Sequence, residues 1–139
     1  MTAVKTTIYD HMPVSIYDSS EALGAAAASD LALILRTTLA EQGHAAVIVA
    51  TGNSQLTFMQ ALRVEKDIAW NQVCIFHMDE YLDMSEQHPA SFRRYIREEL
   101  TDHVHPKAFF GIKGDSHNVD AELAHYAALL EEHKPIACV

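Results

Sequence analysis

Two short apolar runs constrain this chain more than anything else in it. Residues 45–50 read Ala-Ala-Val-Ile-Val-Ala and residues 73–78 read Val-Cys-Ile-Phe-His-Met. Runs of this length, β-branched and without polar alternation, suit strands covered on both faces, and such strands belong to parallel sheets. The segments around them have helical spacing. Leu23, Ala26, Ala27, Leu31, Ile34, Leu35 and Leu39 recur at three and four residues. Asp18, with Glu21 three residues on, is expected to open that helix as a capping box, and Gly43 to close it. Leu56, Met59, Ala61 and Leu62 carry a second helix. A third is expected over residues 90–101, with Phe92, Tyr95, Ile96 and Leu100 on one face. A fourth covers 119–133, with Leu123, Tyr126, Ala127 and Leu130 inward. Val14, Ile16 and Tyr17 suggest an edge strand, and residues 108–112 another short strand. Strands alternating with helices define the α/β class: a parallel, Rossmann-like sheet flanked by helices, with right-handed crossovers. There is no internal repeat and no linker, so residues 1–139 read as a single α/β domain. Residues 135–139 read as the opening of a further buried strand with no polar close. The domain is therefore expected to be truncated within a strand and to be the N-terminal part of a longer one.

Composition narrows the partners. With 49% hydrophobic and 21% charged residues the chain can bury a core. Nineteen acidic against ten basic residues give a net charge of -9. Nucleic acid requires a basic face and an anionic membrane a polybasic segment, so neither is an expected partner. An anionic small molecule would need local donors. Cys74 and Cys138 lie in apolar runs and read as buried thiols of a reducing compartment. No apolar stretch of leader type follows Lys5, and Ser29 and Asp30 interrupt the alanine-rich stretch 22–35. A cytoplasmic protein is the expectation.

Three places could carry chemistry. Thr51, Gly52, Asn53 and Ser54 form the turn after the first buried strand. Glycine permits a tight backbone, the following helix N-terminus favours phosphate, and Thr51 and Ser54 add hydroxyls. From these residues alone an ordinary strand-to-helix loop with Ser54 as N-cap is the stronger reading, since one glycine is a weak signal. Asp79 and Glu80 follow the second buried strand, at the carboxyl edge where open α/β sheets bind ligands. Either acid could act as a general base, and equally either could cap a nearby helix or lie in solvent. His77 lies beside them. His77 with Asp79, or His103 with His105, has the alternation of a metal pair, but zinc needs three or four convergent ligands. No third is evident, so no metal is expected. Arg93, Arg94 and Arg97, with Glu98 and Glu99, read as a solvated, ion-paired helix face. Trp70 and Tyr81 read as packing residues.

The motifs Ala50-Thr51-Gly52-Asn53-Ser54, Phe76-His77-Met78-Asp79-Glu80-Tyr81 and His88-Pro89-Ala90-Ser91-Phe92, in this order and spacing, resemble the glucosamine-6-phosphate deaminase/isomerase family. Its relatives include the 6-phosphogluconolactonases. Tyr81 stands where the lactonase branch has arginine, which favours the deaminase branch. The resemblance implies an amino-sugar phosphate as substrate, held by Thr51, Gly52, Asn53 and Ser54. It implies Asp79 as the base that moves a proton between C2 and C1, with His77 and Glu80 lining the site. It implies no cofactor. Asn53 and Gln55 depart from the family's glycine and proline, and His77 from a common asparagine. The family's ring-opening histidine, in an Asp-Gly-His segment, is not in the sequence.

The expected function is hexosamine-6-phosphate isomerase/deaminase, with this stretch alone inactive. The alternatives are a lactone hydrolase on the same fold and a non-catalytic sugar-phosphate-binding module. An unfinished sheet edge also favours self-association into a homo-oligomer.

Overall fold

A computed structural model describes residues 3–139. The chain opens with a hairpin of β1 (Lys5–Tyr9) and β2 (Met12–Ile16), antiparallel, with Asp10 in a left-handed conformation at the turn. Among the described residues these strands pair only with each other. The expected edge strand therefore exists, but in a separate ribbon and not on the main sheet. Ile8, Tyr9 and Met12 are exposed on it.

Helix α1 (Ser20–Gln42) is capped by Ser19, whose hydroxyl accepts from the Ala22 amide at 3.1 Å. The cap thus falls one residue after Asp18, because Ser19 is the residue with extended backbone and an oxygen in reach of the third helical amide. Gly43, at φ 74°, closes the helix by donating to the Leu39 carbonyl at 2.9 Å. By length and composition α1 could cross a membrane. Here its Ala28, Leu31 and Leu35 are buried in the core with Phe58, Met59 and Leu62 of α2 (Asn53–Val64). Gly24 makes the crossing close: a Cβ there would sit 2.6 Å from the Thr57 carbonyl carbon. Leu23 and Ile34, which share the helical spacing of the buried residues, lie on the exposed side.

The sheet has the order β5-β4-β3-β6, with every pair parallel. It is built from β3 (Ala45–Val49), β4 (Val73–His77), β5 (Ala108–Phe110) and β6 (Ala137–Cys138). β3 and β4 are the central pair, so both their faces are covered and their sequences are continuously apolar. Ala45, Val47, Val49, Val73 and Ile75 face the α1–α2 layer, joined there by Ile96 and Leu100. Ala46, Cys74 and Phe76 face the other way, against Tyr126. This is the period-two alternation of a strand. Each fully buried Leu, Ile or Phe contributes roughly 1.5–3 kcal/mol.

Helix α3 (Phe92–Ile96) continues through a π-helical turn (Arg97–Thr101) into α4 (Asp102–Val104). The Arg63 side chain donates to the Glu99 carbonyl at 2.6 Å inside that wide turn, the kind of competition that opens a helix ladder. Helix α5 (Val119–His133) covers the second face. Tyr126 is buried and Leu130 packs beside it as expected, but the register differs at three positions: Leu123 and Ala127 are exposed, and Glu122 is buried. Two polar contacts set that rotation, Glu122 to the Lys113 amide at 2.8 Å and the Tyr126 hydroxyl to the end of β4. Cys138, expected to be buried, is exposed on the edge strand β6, whereas Cys74 is buried and its thiol is pushed up by burial. Trp70 packs against the core as expected. Tyr81 packs on Phe92, with ring centroids 4.8 Å apart, while keeping an exposed side.

Candidate active site

Strand order reverses at β3. The chain runs β3 to β4 to β5 in one direction, then returns through α5 to place β6 on the other side of β3. The crevice at the carboxyl end of such a reversal is where open α/β sheets bind ligands. The turn after β3 lies there. Gly52, at φ 109° and ψ 173°, is the N-cap of α2 and makes no side-chain cap bond. Ser54 therefore lies inside the first turn of the helix and is not its cap. The Gly52 conformation is open essentially only to glycine. Its carbonyl accepts from the Gln55 amide at 3.0 Å and the Tyr95 hydroxyl at 2.8 Å, which ties the turn to α3. The amides of Asn53 and Ser54, at the start of α2, have no intrahelical acceptor and face an exposed surface.

Asp79 follows β4 in the same way. Val49 pairs with His77, so Thr51 and Asp79 each lie two residues past the last paired positions of adjacent strands, which run about 5 Å apart. Asp79 is exposed. A cleft of about 240 Å³ opens beside it, walled by Met78, Leu82, Ile112, Val119 and Leu123. A second cleft of about 260 Å³, between β5 and α5, holds Arg97, Phe110 and His125 but neither Asp79 nor the 51–54 turn.

His77 and Glu80, on either side of the exposed pair Met78 and Asp79, face inward. His77 is 1% exposed, and its Nε2 accepts from the Ile112 amide at 2.8 Å, which puts the ring proton on Nδ1. Burial is the chief reason its pKa falls to about 4; Glu80 and Asp79 oppose the fall and Arg93 assists it. The ring is therefore neutral at pH 7. Nδ1 is buried with no hydrogen-bond partner among the described residues. The Tyr126 hydroxyl accepts from the His77 amide at 3.0 Å and donates to the His77 carbonyl at 2.6 Å. Burial first, with Glu122 adding and the His77 bond opposing, pushes that phenol up to about 12.

Glu80 turns its carboxylate into the start of α3, where it accepts from the amides of Phe92 and Arg93, both at 3.0 Å, and from the Ser91 hydroxyl at 2.8 Å. Burial raises the Glu80 pKa, but these bonds and that from the Tyr81 amide outweigh it and hold the carboxyl below its usual value. Of the two sequence readings of the acid pair, helix capping thus describes Glu80. Arg93 corrects an expectation: it is 5% exposed and pairs with Glu80 at 3.2 Å and Asp115 at 2.9 Å. Only Arg94, paired with Glu98, and Arg97, paired with Glu86, form the solvated face. Position explains the difference, since Arg93 falls on the inner side of the first turn of α3. Tyr95 and Tyr126, which helical spacing places inward, are also polar tethers. His103 and His105 are exposed, and among the described residues no group of three or more His, Cys, Asp or Glu is placed to hold a metal ion.

Fold and sheet edge together define a doubly wound α/β protein whose two central strands each end in an exposed turn. The chain belongs to the family of glucosamine-6-phosphate isomerases/6-phosphogluconolactonase, whose model matches residues 18–138. It is 33% identical over 100 residues to glucosamine-6-phosphate deaminase of Streptococcus sanguinis, an alignment covering 72% of this chain and 42% of that protein. Among solved structures it is similar to a 6-phosphogluconolactonase from Shewanella baltica, at 28% identity and TM-score 0.73, covering 82% of this chain and 48% of that one. A monomeric glucosamine-6-phosphate deaminase shares the fold at 21% identity and TM-score 0.72, covering 84% and 49%. The chain thus spans less than half the length of the curated relatives it matches.

Proposed function

We propose that this chain carries the base and part of the phosphate cradle of a hexosamine-6-phosphate isomerase/deaminase. The observation that carries the reading is the exposed Asp79 carboxylate at the end of β4, beside the Gly52 turn on the neighbouring strand. The 51–54 turn offers the amides of Asn53 and Ser54, the positive end of α2 and the hydroxyls of Thr51 and Ser54 to a sugar phosphate. Asp79 then removes the C2 proton of the open-chain amino sugar and returns it to C1. The aldose becomes a ketose imine through an enolamine, and water releases ammonia from C2. A single carboxylate within hydrogen-bond reach of both carbons serves both transfers. His77 and Glu80 stand behind Asp79 on the inner side of the site. The deaminase name of the curated relatives supports this chemistry; a cytoplasmic role in amino-sugar catabolism is part of the same proposal.

Hydrolysis of a 6-phosphogluconolactone is the second reading, favoured by the likeness to the Shewanella baltica lactonase. Both substrates place a phosphate and a reacting carbon at opposite ends of a six-carbon chain. The full-length protein, given glucosamine-6-phosphate and 6-phosphogluconolactone in parallel, is expected to release ammonia from the first. Acid release from the second, without ammonia from the first, replaces the deaminase reading by the hydrolase one. Binding of both with turnover of neither replaces it by the binding module.

A further inference from the structure

The loop that bears Asp79 is held from within by a buried ion pair that does not touch the Asp79 carboxylate. Glu80 has no exposed side-chain surface, and its oxygens accept five hydrogen bonds. Oε1 takes the Tyr81 amide at 3.1 Å and the Phe92 amide at 3.0 Å. Oε2 takes the Ser91 hydroxyl, the Arg93 amide and Arg93 Nε at 2.8, 3.0 and 3.2 Å. Arg93 then reaches the Met84 carbonyl at 2.6 Å and Asp115 at 2.9 Å. A Cβ at Gly111 would lie 2.8 Å from Arg93 Cγ, and one at Gly114 would lie 2.1 Å from the Tyr81 carbonyl oxygen. Two loops, the one after β4 and the one after β5, are thus locked together around one guanidinium.

This is more than α3 needs, because α3 has its own N-cap: the Ser91 hydroxyl accepts from the Arg94 amide at 3.3 Å. A planar guanidinium is also the group that can serve several acceptors in fixed directions at once, which an ammonium cannot. The arrangement fixes residue 80 on the inner side and leaves residue 79 facing out.

We propose, on the reading of Asp79 as the base, that Glu80 and Arg93 are its positioning pair: they hold the Asp79 backbone so that its carboxylate stands at one set distance from the reacting carbons. Neither touches substrate. A displacement of about 1 Å at a reacting group lowers the rate on the order of 100-fold, so the pair acts on turnover; neither side chain contacts the phosphate turn, which α3 reaches separately through the Tyr95 hydroxyl on the Gly52 carbonyl.

Glu80→Gln and Arg93→Lys in the full-length protein test this, with turnover, sugar-phosphate affinity and the unfolding temperature read on each. The glutamine amide presents a donor where the Glu80 carboxylate accepts from Arg93 and Ser91. A lysine in place of Arg93 keeps the charge but loses the fork. The expected result is a fall in kcat of about 100-fold for Glu80→Gln and a smaller fall for Arg93→Lys, with KM and sugar-phosphate affinity unchanged. Wild-type kcat in Arg93→Lys or in folded Glu80→Gln overturns the proposal. So does a loss of activity that merely follows the loss of folded protein, KM rising along with it. Asp79→Asn measured alongside separates the two ideas. Turnover that survives Asp79→Asn sinks the base assignment. A dead Asp79→Asn with wild-type Glu80→Gln and Arg93→Lys sinks the positioning role alone.

Discussion

His77 makes the fold sensitive to acid in a defined window. The imidazole is 1% exposed, accepts the Ile112 amide through Nε2, and has a pKa lowered from 6.5 to about 4. The unfolded chain therefore binds a proton at this residue before the folded one does. Its contribution to stability is complete above pH 6.5 and is lost as pH falls through 6.5 towards 4. A gap of about two and a half units, at 1.36 kcal/mol per unit, corresponds to about 3 kcal/mol. Glu80 acts in a separate and lower window, because its carboxyl is depressed from 4.5 and its contribution is lost only below that value. The perturbation is His77→Gln, whose amide oxygen takes the place of Nε2 as acceptor and does not titrate. Urea unfolding at a series of pH values from about 7.5 to about 4 gives the difference in ΔG between wild type and variant. Wild type is expected to lose about 3 kcal/mol more than the variant across the window. Parallel curves for the two proteins would refute a buried, neutral imidazole.

Two further outcomes follow from single contacts. Tyr126→Phe strips the His77 amide and carbonyl of their shared partner at the end of β4, and is expected to cost about 1–3 kcal/mol in urea unfolding; an unchanged midpoint contradicts that role. Gly52→Ala meets no atom within 4 Å but places a side chain at φ 109°, so backbone strain of about 1–3 kcal/mol distorts the turn. Sugar-phosphate affinity measured by calorimetry is then expected to fall about tenfold or more, and wild-type affinity removes this turn from the phosphate site.

The central strands were legible because burial on both faces writes a continuous apolar run, as in residues 45–50 and 73–78. The helices between them were legible from their spacing. What escaped was decided by individual polar atoms. Ser19 and Asp18 are equivalent caps in sequence, and only the backbone at Ser19 selects it. The register of α5 looked apolar at Leu123, yet the Tyr126 hydroxyl and the Glu122 carboxylate, both with backbone partners, turned the helix. Arg93 stood among three arginines with acids nearby, a pattern that reads as a solvent face. Its burial depends on Glu80, thirteen residues earlier and across a loop, a pairing no periodicity encodes. The N-terminal hairpin alternates only loosely, and neither of its faces enters the core. In the site, the position of Asp79 and of the 51–54 turn at one edge followed from strand ends alone. The inward turn of Glu80 and the neutral state of His77 required the tertiary contacts.

Everything proposed for the chemistry depends on Asp79 as the base. Solvent deuterium exchange at C2 of glucosamine-6-phosphate, followed by proton NMR on the full-length protein and its Asp79→Asn variant, tests that role without relying on ammonia release. With Asp79 as the base, the C2 proton signal is lost rapidly with wild type and persists with Asp79→Asn, while both bind the sugar phosphate equally. Exchange that continues unchanged in Asp79→Asn contradicts the assignment.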